Sequence, residues 1–268
     1  MPFDALGRAK MTRVSVIGCG NMGGAFLKGL ARAGGHHLMA IDLDSEALAA
    51  VEAHADETSN DTAAAADADV VVLAVKPDVA EAVLEGLDLS ADQTLVTLAA
   101  GVSREFVAGR TDASVVRIMP NLAAETGDMA AAATTEGLTD EVRELLEDLG
   151  AFVEIDESLM DVSTAVNGSG PAFAFYIIDA MKTAGVEGGL DPEQAETLAA
   201  QTFKGAAETV LRDDRSVDEL VDAVCSPNGT TIEGMEVLWD SDADEAVAEA
   251  VGAAERRSRE LAEAFENA

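Results

Sequence analysis

The amino-acid sequence predicts an α/β chain whose N-terminal half is built on a parallel sheet and whose C-terminal half is entirely helical. Three observations carry that expectation. Apolar runs of strand length alternate with helix-patterned segments as far as about residue 160. Two of those runs, VVVLAV (70–75) and QTLVTLAAG (93–101), are apolar without alternation, as strands covered on both faces are. Beyond residue 160 no strand-like run follows. The expected domains are therefore 11–160 and 161–268.

The elements follow in order. Residues 13–24 read RVSVIGCGNMGG and run straight into AFLKGLARAG, which is strand, tight glycine turn and helix. HHLMAIDLD supplies a second strand ending at Asp42, and SEALAAVEAH a second helix with Asp44 or Ser45 as its N-cap. SVVRIMPN (114–121) and AFVEID (151–156) complete the strand set, with helical or loop segments between. From Pro171, PAFAFYIIDAMKTAG is apolar nearly all the way round a helix, which predicts burial on every side. A helical half of this size has little room for that, and a dimer interface would provide it. EQAETLAAQTFKGAAETVLRD, VDELVDAVC, TTIEGMEVLWD and the C-terminal residues are the remaining helices, interrupted by the loop SPNGTT (226–231).

Composition narrows the function classes. The chain has 268 residues and is 48% hydrophobic, enough for a real core. Its two cysteines, Cys19 and Cys225, form neither a disulfide framework nor a zinc-ligand spacing, and no metal site is expected. No stretch approaches the roughly 18 apolar residues of a membrane helix, and the leader MPFDALGRAK lacks the apolar segment of a signal peptide. The expectation is a cytoplasmic protein without a membrane partner. Acidic residues number 51 against 17 basic ones, a net charge of −34, which disfavours nucleic acid as a partner. The acid is spread through helices such as EVRELLEDLG rather than gathered in a tail, the pattern of a salt-adapted, halophilic surface. At about 1 M salt the Debye length is about 3 Å, so self-repulsion is largely screened.

Gly18, Gly20 and Gly23 form G-x-G-x-x-G between the first strand and first helix. In that setting the first glycine permits the turn, the second lets backbone approach a pyrophosphate, and the third lets the helix pack closely. The helix N-terminus offers unpaired N–H groups to the anion. The reading is a Rossmann-like dinucleotide-binding domain. Asp42, nineteen residues after Gly23, sits where a carboxylate would hydrogen-bond the adenosine ribose and repel a 2′-phosphate. The cofactor is therefore NADH or NADPH, with a lean to NADH. His36, His37 and His54 assemble into no catalytic triad or metal cluster. Lys76, flanked by Val75 and Pro77, reads as a cofactor-groove residue rather than a general acid.

Five motifs occur in order: VIGCGNMG (16–23), AVKP (74–77), RIMPN (117–121), NGSGPAFAF (167–175) and SPNGTT. Together they resemble the pyrroline-5-carboxylate reductase family, over nearly the whole chain from Arg13 onward. The resemblance implies a nicotinamide-dependent imine reductase acting on 1-pyrroline-5-carboxylate in proline biosynthesis. It also implies a helical domain of the 6-phosphogluconate dehydrogenase C-terminal-like kind, which makes a homodimer or a higher assembly of dimers. By position, Ile17, Gly18, Cys19, Gly20, Asn21 and Met22 would cradle the pyrophosphate. Ala74, Val75, Lys76 and Pro77 would line the groove, with Ala99 and Ala100 beside it. A further cofactor contact falls on Asn60 by residue type or on Asp61 by spacing. Substrate contacts would fall on Ser226, Gly229, Thr230, Thr231 and Asp214.

The loop chemistry agrees with that assignment. A small ring carrying a carboxylate needs donors, and SPNGTT supplies them if Thr230 or Thr231 opens the following helix. The Thr231 hydroxyl is the group expected to touch the imine nitrogen. Three departures from the family pattern stand out. Asn228 occupies a usual glycine position, LAAE follows RIMPN in place of a Thr-Pro pair, and Asp214 replaces a common Glu. A short polar side chain tolerates left-handed backbone, so Asn228 is compatible with the loop. The alternatives are a β-hydroxyacid-type dehydrogenase, which would need a catalytic lysine on the long helix where Lys182 lies toward the end, and a non-catalytic cofactor-binding regulatory protein.

Overall fold

A computed structural model describes residues 11–267. The leader MPFDALGRAK (1–10) lies outside the described residues.

The chain begins with β1 (Thr12–Ile17), α1 (Asn21–Ala33), β2 (His36–Ile41), α2 (Ser45–Val51), β3 (Glu57–Ser59) and β4 (Val70–Leu73). It continues through α3 (Pro77–Glu85), β5 (Thr94–Thr97), α4 (Arg104–Ala108), β6 (Ser114–Met119), β7 (Met129–Thr134), α5 (Asp140–Leu149) and β8 (Gly150–Ile155). The eight strands form one sheet in the order β3-β2-β1-β4-β5-β6-β7-β8. Every pairing is parallel except β6 with β7. This is the expected Rossmann-like α/β architecture, with one antiparallel step that the sequence reading lacked.

The period of two along each strand sorts the core into two faces. Val14, Val16, Val70, Val72, Val96 and Val116 pack with Phe26, Leu27 and Leu30 of α1 and Leu145, Leu146 and Leu149 of α5. Ile17, Val71, Leu73, Leu95 and Val115 pack with Ala80 and Leu84 of α3 and Val107 of α4. Covering on both faces is what the unbroken apolar runs required. The two unanticipated strands carry weak signals. β3 has three residues, and β7 reads MAAAAT, whose alanines lack β-propensity.

After β8 come α6 (Met160–Ser163), a π-helical turn (Thr164–Gly168), α7 (Gly170–Glu187), α8 (Pro192–Arg212), α9 (Val217–Val224), α10 (Thr230–Trp239) and α11 (Ala243–Glu266). By compactness the described residues form two units, one ending at Ser169 but including those from Ala253 onward, the other Gly170–Gly252. Strands cease before 160, as read, while the first unit continues through the π turn and also takes the end of α11. Specific contacts hold that end of α11. Ser258 Oγ donates to Asp161 Oδ1 at 2.6 Å, and Phe265 meets Phe106 edge-on with centroids 4.8 Å apart.

The helical unit is well capped but thinly cored. Asp191 with Gln194 and Ser216 with Glu219 form capping boxes at the starts of α8 and α9. Its only fully buried apolar side chains are Ala195 and Ala199. The apolar face of α7 lies open, with Phe175 67% and Tyr176 78% exposed. Burial on every side of α7, as its composition demanded, is not met within one chain.

Candidate active site

The glycine turn is built by close backbone packing. Gly18 has φ +93°, and a Cβ placed on Gly23 would lie 1.9 Å from the Gly18 carbonyl oxygen. Only glycine fits there, so α1 starts directly against the turn. Its first residues, Asn21 and Met22, follow an N-cap, Gly20, that makes no side-chain capping bond. The orphan N–H groups of this first turn are thus left without a side-chain acceptor, and the missing Cβ atoms open a cradle that fits a pyrophosphate.

Other predicted residues gather round the turn. Ala74 N–H donates to the Ile17 carbonyl at 2.8 Å, and Ala74 and Val75 crowd the space beside Gly18. Lys76 is the N-cap of α3 and Pro77 its first residue. Ala99 and Ala100 follow β5, Ala99 buried and Ala100 exposed. The ladder pairs Ile17 with Leu73, Leu73 with Thr97, and Thr97 with Arg117, so the ends of β1, β4, β5 and β6 form one rim. Three strand spacings span about 14 Å.

Asp42 closes the turn from the β2 side. Its Oδ2 accepts from Cys19 N–H at 2.7 Å and its Oδ1 from Asp44 N–H at 2.9 Å. Asp44 in turn caps α2 by accepting from Glu46 N–H. Beyond Asp42 a cavity of about 390 Å³ is lined by Leu43, Ser45, Leu48, Thr58, Ser59 and Asn60. Asp61 instead caps the short turn that follows, accepting from Ala63 N–H at 3.0 Å. Cys19 is buried, and burial first, then the charge of Asp42, pushes its thiol up to about 11. It is a packing residue with a neutral thiol at physiological pH.

The second predicted cluster lies in the helical unit. Ser226 to Gly229 form a tight turn in which Gly229 N–H donates to the Ser226 carbonyl at 2.9 Å. Pro227 takes the second position, and Asn228 the third with φ +58°, the pattern of a type II turn. Asn228 is the sole non-glycine residue with positive φ among those described, and it adopts the left-handed backbone its residue type allows. Thr230 is then the first residue of α10 and Thr231 the second, with Gly229 as an N-cap lacking a side-chain bond. Asp214 is exposed, next to Asp213, whose carboxylate is pulled down to about 2 mainly by its hydrogen bonds from Arg215.

His36, His37 and Lys182, also weighed from sequence, are engaged elsewhere. His36 pairs with Asp148 at 2.8 Å and His37 with Glu57 at 2.8 Å. Lys182 pairs with Glu196 of α8, which raises its pKa. Among the described residues no group of three His, Cys, Asp or Glu is placed to hold a metal, and no helix is long and apolar enough to cross a membrane.

Asn121 and Asn167, which lie in the motifs RIMPN and NGSGPAFAF, carry no site role on sequence alone. The two side chains are bonded into one polar cluster between β6, β7 and the π turn. Polar residues inside otherwise apolar motifs were the available signal.

A mostly parallel sheet with a glycine turn feeding a helix N-terminus, followed by a helical domain, is the architecture of a dinucleotide-dependent oxidoreductase. Residues 13–101 match the family model for NADP oxidoreductase, coenzyme F420-dependent, and residues 157–261 match that for pyrroline-5-carboxylate reductase dimerisation. The pyrroline-5-carboxylate reductase of Methanosarcina acetivorans is 37% identical over 93% of this chain and 97% of its own length. That of Pseudomonas aeruginosa is also 37% identical, over 94% and 97%. The solved Coxiella burnetii pyrroline-5-carboxylate reductase superposes with a TM-score of 0.84 at 29% identity, covering 94% of this chain and 99% of that one. The Plasmodium falciparum pyrroline carboxylate reductase, solved with NADP bound, gives 0.81 at 27% identity, over 94% and 100%. The chain belongs to the pyrroline-5-carboxylate reductase family.

Proposed function

We propose that this protein reduces the C=N bond of 1-pyrroline-5-carboxylate to give L-proline, with a nicotinamide cofactor seated on the sheet unit. The observation that carries the reading is the start of α10. Thr230 and Thr231 place unpaired N–H groups and two hydroxyls at one helix mouth, directly after a turn that presents Ser226. That mouth suits a carboxylate, and it needs no buried cation to hold one.

When bound, the reduced nicotinamide supplies the hydride that goes to the imine carbon. The residues of this chain bind and orient. Ile17 to Met22 hold the pyrophosphate, Ala74 to Pro77, Ala99 and Ala100 line the groove, and Asn60 contacts the adenosine end. Ser226, Gly229, Thr230, Thr231 and Asp214 bind the substrate, with the Thr231 hydroxyl on the ring nitrogen. An iminium nitrogen brings its proton from solution, so no strongly perturbed acid is required. Alignment then contributes much of the rate. The engagement of Lys182 with Glu196 argues against the β-hydroxyacid reading.

NADH is the proposed reductant. Asp42 and Asp44 flank the ribose position, and no lysine or arginine occurs between Arg32 and Lys76 to pair with a 2′-phosphate. The open face of α7 and the small core of the helical unit support a homodimer formed by residues 161–268, with 11–160 as the cofactor domain. The charge supports a salt-adapted enzyme.

The test is an assay of the purified protein with 1-pyrroline-5-carboxylate and each reduced nicotinamide. Proline formation matched to cofactor oxidation is expected. Cofactor binding without turnover would favour the regulatory alternative.

A further inference from the structure

We propose that Asn167 is a positioning residue for imine reduction, fixing Gly168 and Ser169 against the rim of the sheet in concert with Asn121 and Ser163. The inference rests on the reductase reading above.

The argument begins at the antiparallel step. β6 and β7 pair only at Ile118 with Ala133 and Met119 with Ala132. The same register continued would set Asn121 opposite Ala130, but Pro120 has no N–H and the ladder stops. Side chains take over there. Ala130 N–H donates to Asn121 Oδ1 at 3.3 Å, and the Ala130 carbonyl accepts from Asn167 Nδ2 at 3.0 Å. Asn167 Nδ2 also donates to the Met119 carbonyl at 2.7 Å. Asn121 Nδ2 donates back to the Asn167 carbonyl at 3.2 Å, and Ser163 Oγ donates to Asn167 Oδ1 at 2.7 Å. Each amide therefore has its nitrogen and its oxygen both engaged by named partners.

Asn167 sits inside the π-helical turn, which is closed by Ser169 N–H donating to the Thr164 carbonyl at 3.0 Å. A π turn is a costly local distortion that persists where surrounding bonds enforce it. Here those bonds come from the end of β6, on the same rim as the glycine turn and about three strand spacings away. That is where the reactive end of a dinucleotide held at Gly18–Gly23 would fall. Asn167 touches no reacting atom in this account. It sets where Gly168 and Ser169 stand, and a small misplacement of such a turn costs rate more than affinity.

The test compares wild type, Asn167→Asp and Ser163→Ala in the full-length protein, with 1-pyrroline-5-carboxylate and a cofactor deuterated at the transferred position. Asn167→Asp removes both Nδ2 donations, while Ser163→Ala removes one bond and is the milder change. We expect kcat to fall about tenfold for Asn167→Asp and severalfold for Ser163→Ala, with cofactor Kd within about twofold of wild type. The deuterium isotope effect on kcat should rise in both, because hydride transfer becomes slower relative to release. Fewer folded molecules would lower kcat with an unchanged isotope effect, and that result overturns the proposal. If Asn167→Asp does not fold, an unchanged isotope effect in Ser163→Ala overturns it alone. Absence of turnover in wild type would instead strike the reductase reading.

Discussion

The carboxylate of Asp42 accepts the backbone N–H of Cys19 at 2.7 Å, which ties the end of β2 to the glycine turn. One side chain thus shapes the turn and, in the proposed function, would also face the ribose. Asp42→Asn removes the charge proposed to repel a 2′-phosphate. The ratio of kcat/KM for NADPH over NADH should rise about tenfold, equivalent to about 1.4 kcal/mol. Side-by-side assays measure it, and an unchanged ratio would separate Asp42 from cofactor choice.

Thr231→Ala removes one hydroxyl at an exposed helix start and leaves the backbone donors in place. We expect kcat/KM for the imine to fall tenfold to a hundredfold, about 1.4–2.8 kcal/mol, with NADH affinity nearly unchanged. Steady-state kinetics and cofactor titration together check it. Equal loss of both would make the loop a scaffold element only.

Burial keeps the Cys19 thiol protonated in the folded protein to about 11, above its ordinary 9.0. Its contribution to stability is complete below pH 9 and is lost as the pH rises towards 11. Melting temperature should decline over that window, and Cys19→Ala should decline less steeply. At pH 8, alkylation of the native protein should spare Cys19, as peptide mass mapping would show.

Net charge of −34 predicts that salt supports activity by screening self-repulsion. Rate and melting temperature should both increase from dilute buffer toward about 1 M salt. A flat profile over that range would remove the case for a salt-adapted surface.

Much of this was legible in the sequence, for reasons that differ by element. β1, α1 and β4 were plain because glycine spacing and unbroken valine runs have few structural meanings. The left-handed backbone of Asn228 followed from residue type. β7 was hidden because its alanines carry no strand signal, and the antiparallel step went unseen with it. The Asn121–Asn167 cluster was hidden because its bonds join residues 46 positions apart. Asp42 was read as a ribose ligand, yet its bonds to Cys19 and Asp44 needed coordinates. The open face of α7 was legible too, because its all-round apolar composition exceeds what a helical half of this size can bury.

The central claim is that the mouth of α10 grips the carboxylate of a cyclic imine. A crystal structure with proline and oxidised cofactor tests it most directly. The account predicts the proline carboxylate about 2.7–3.2 Å from the N–H groups of Thr230 and Thr231, with the ring nitrogen beside the Thr231 hydroxyl. Proline bound elsewhere, with that helix start left to solvent, would contradict it.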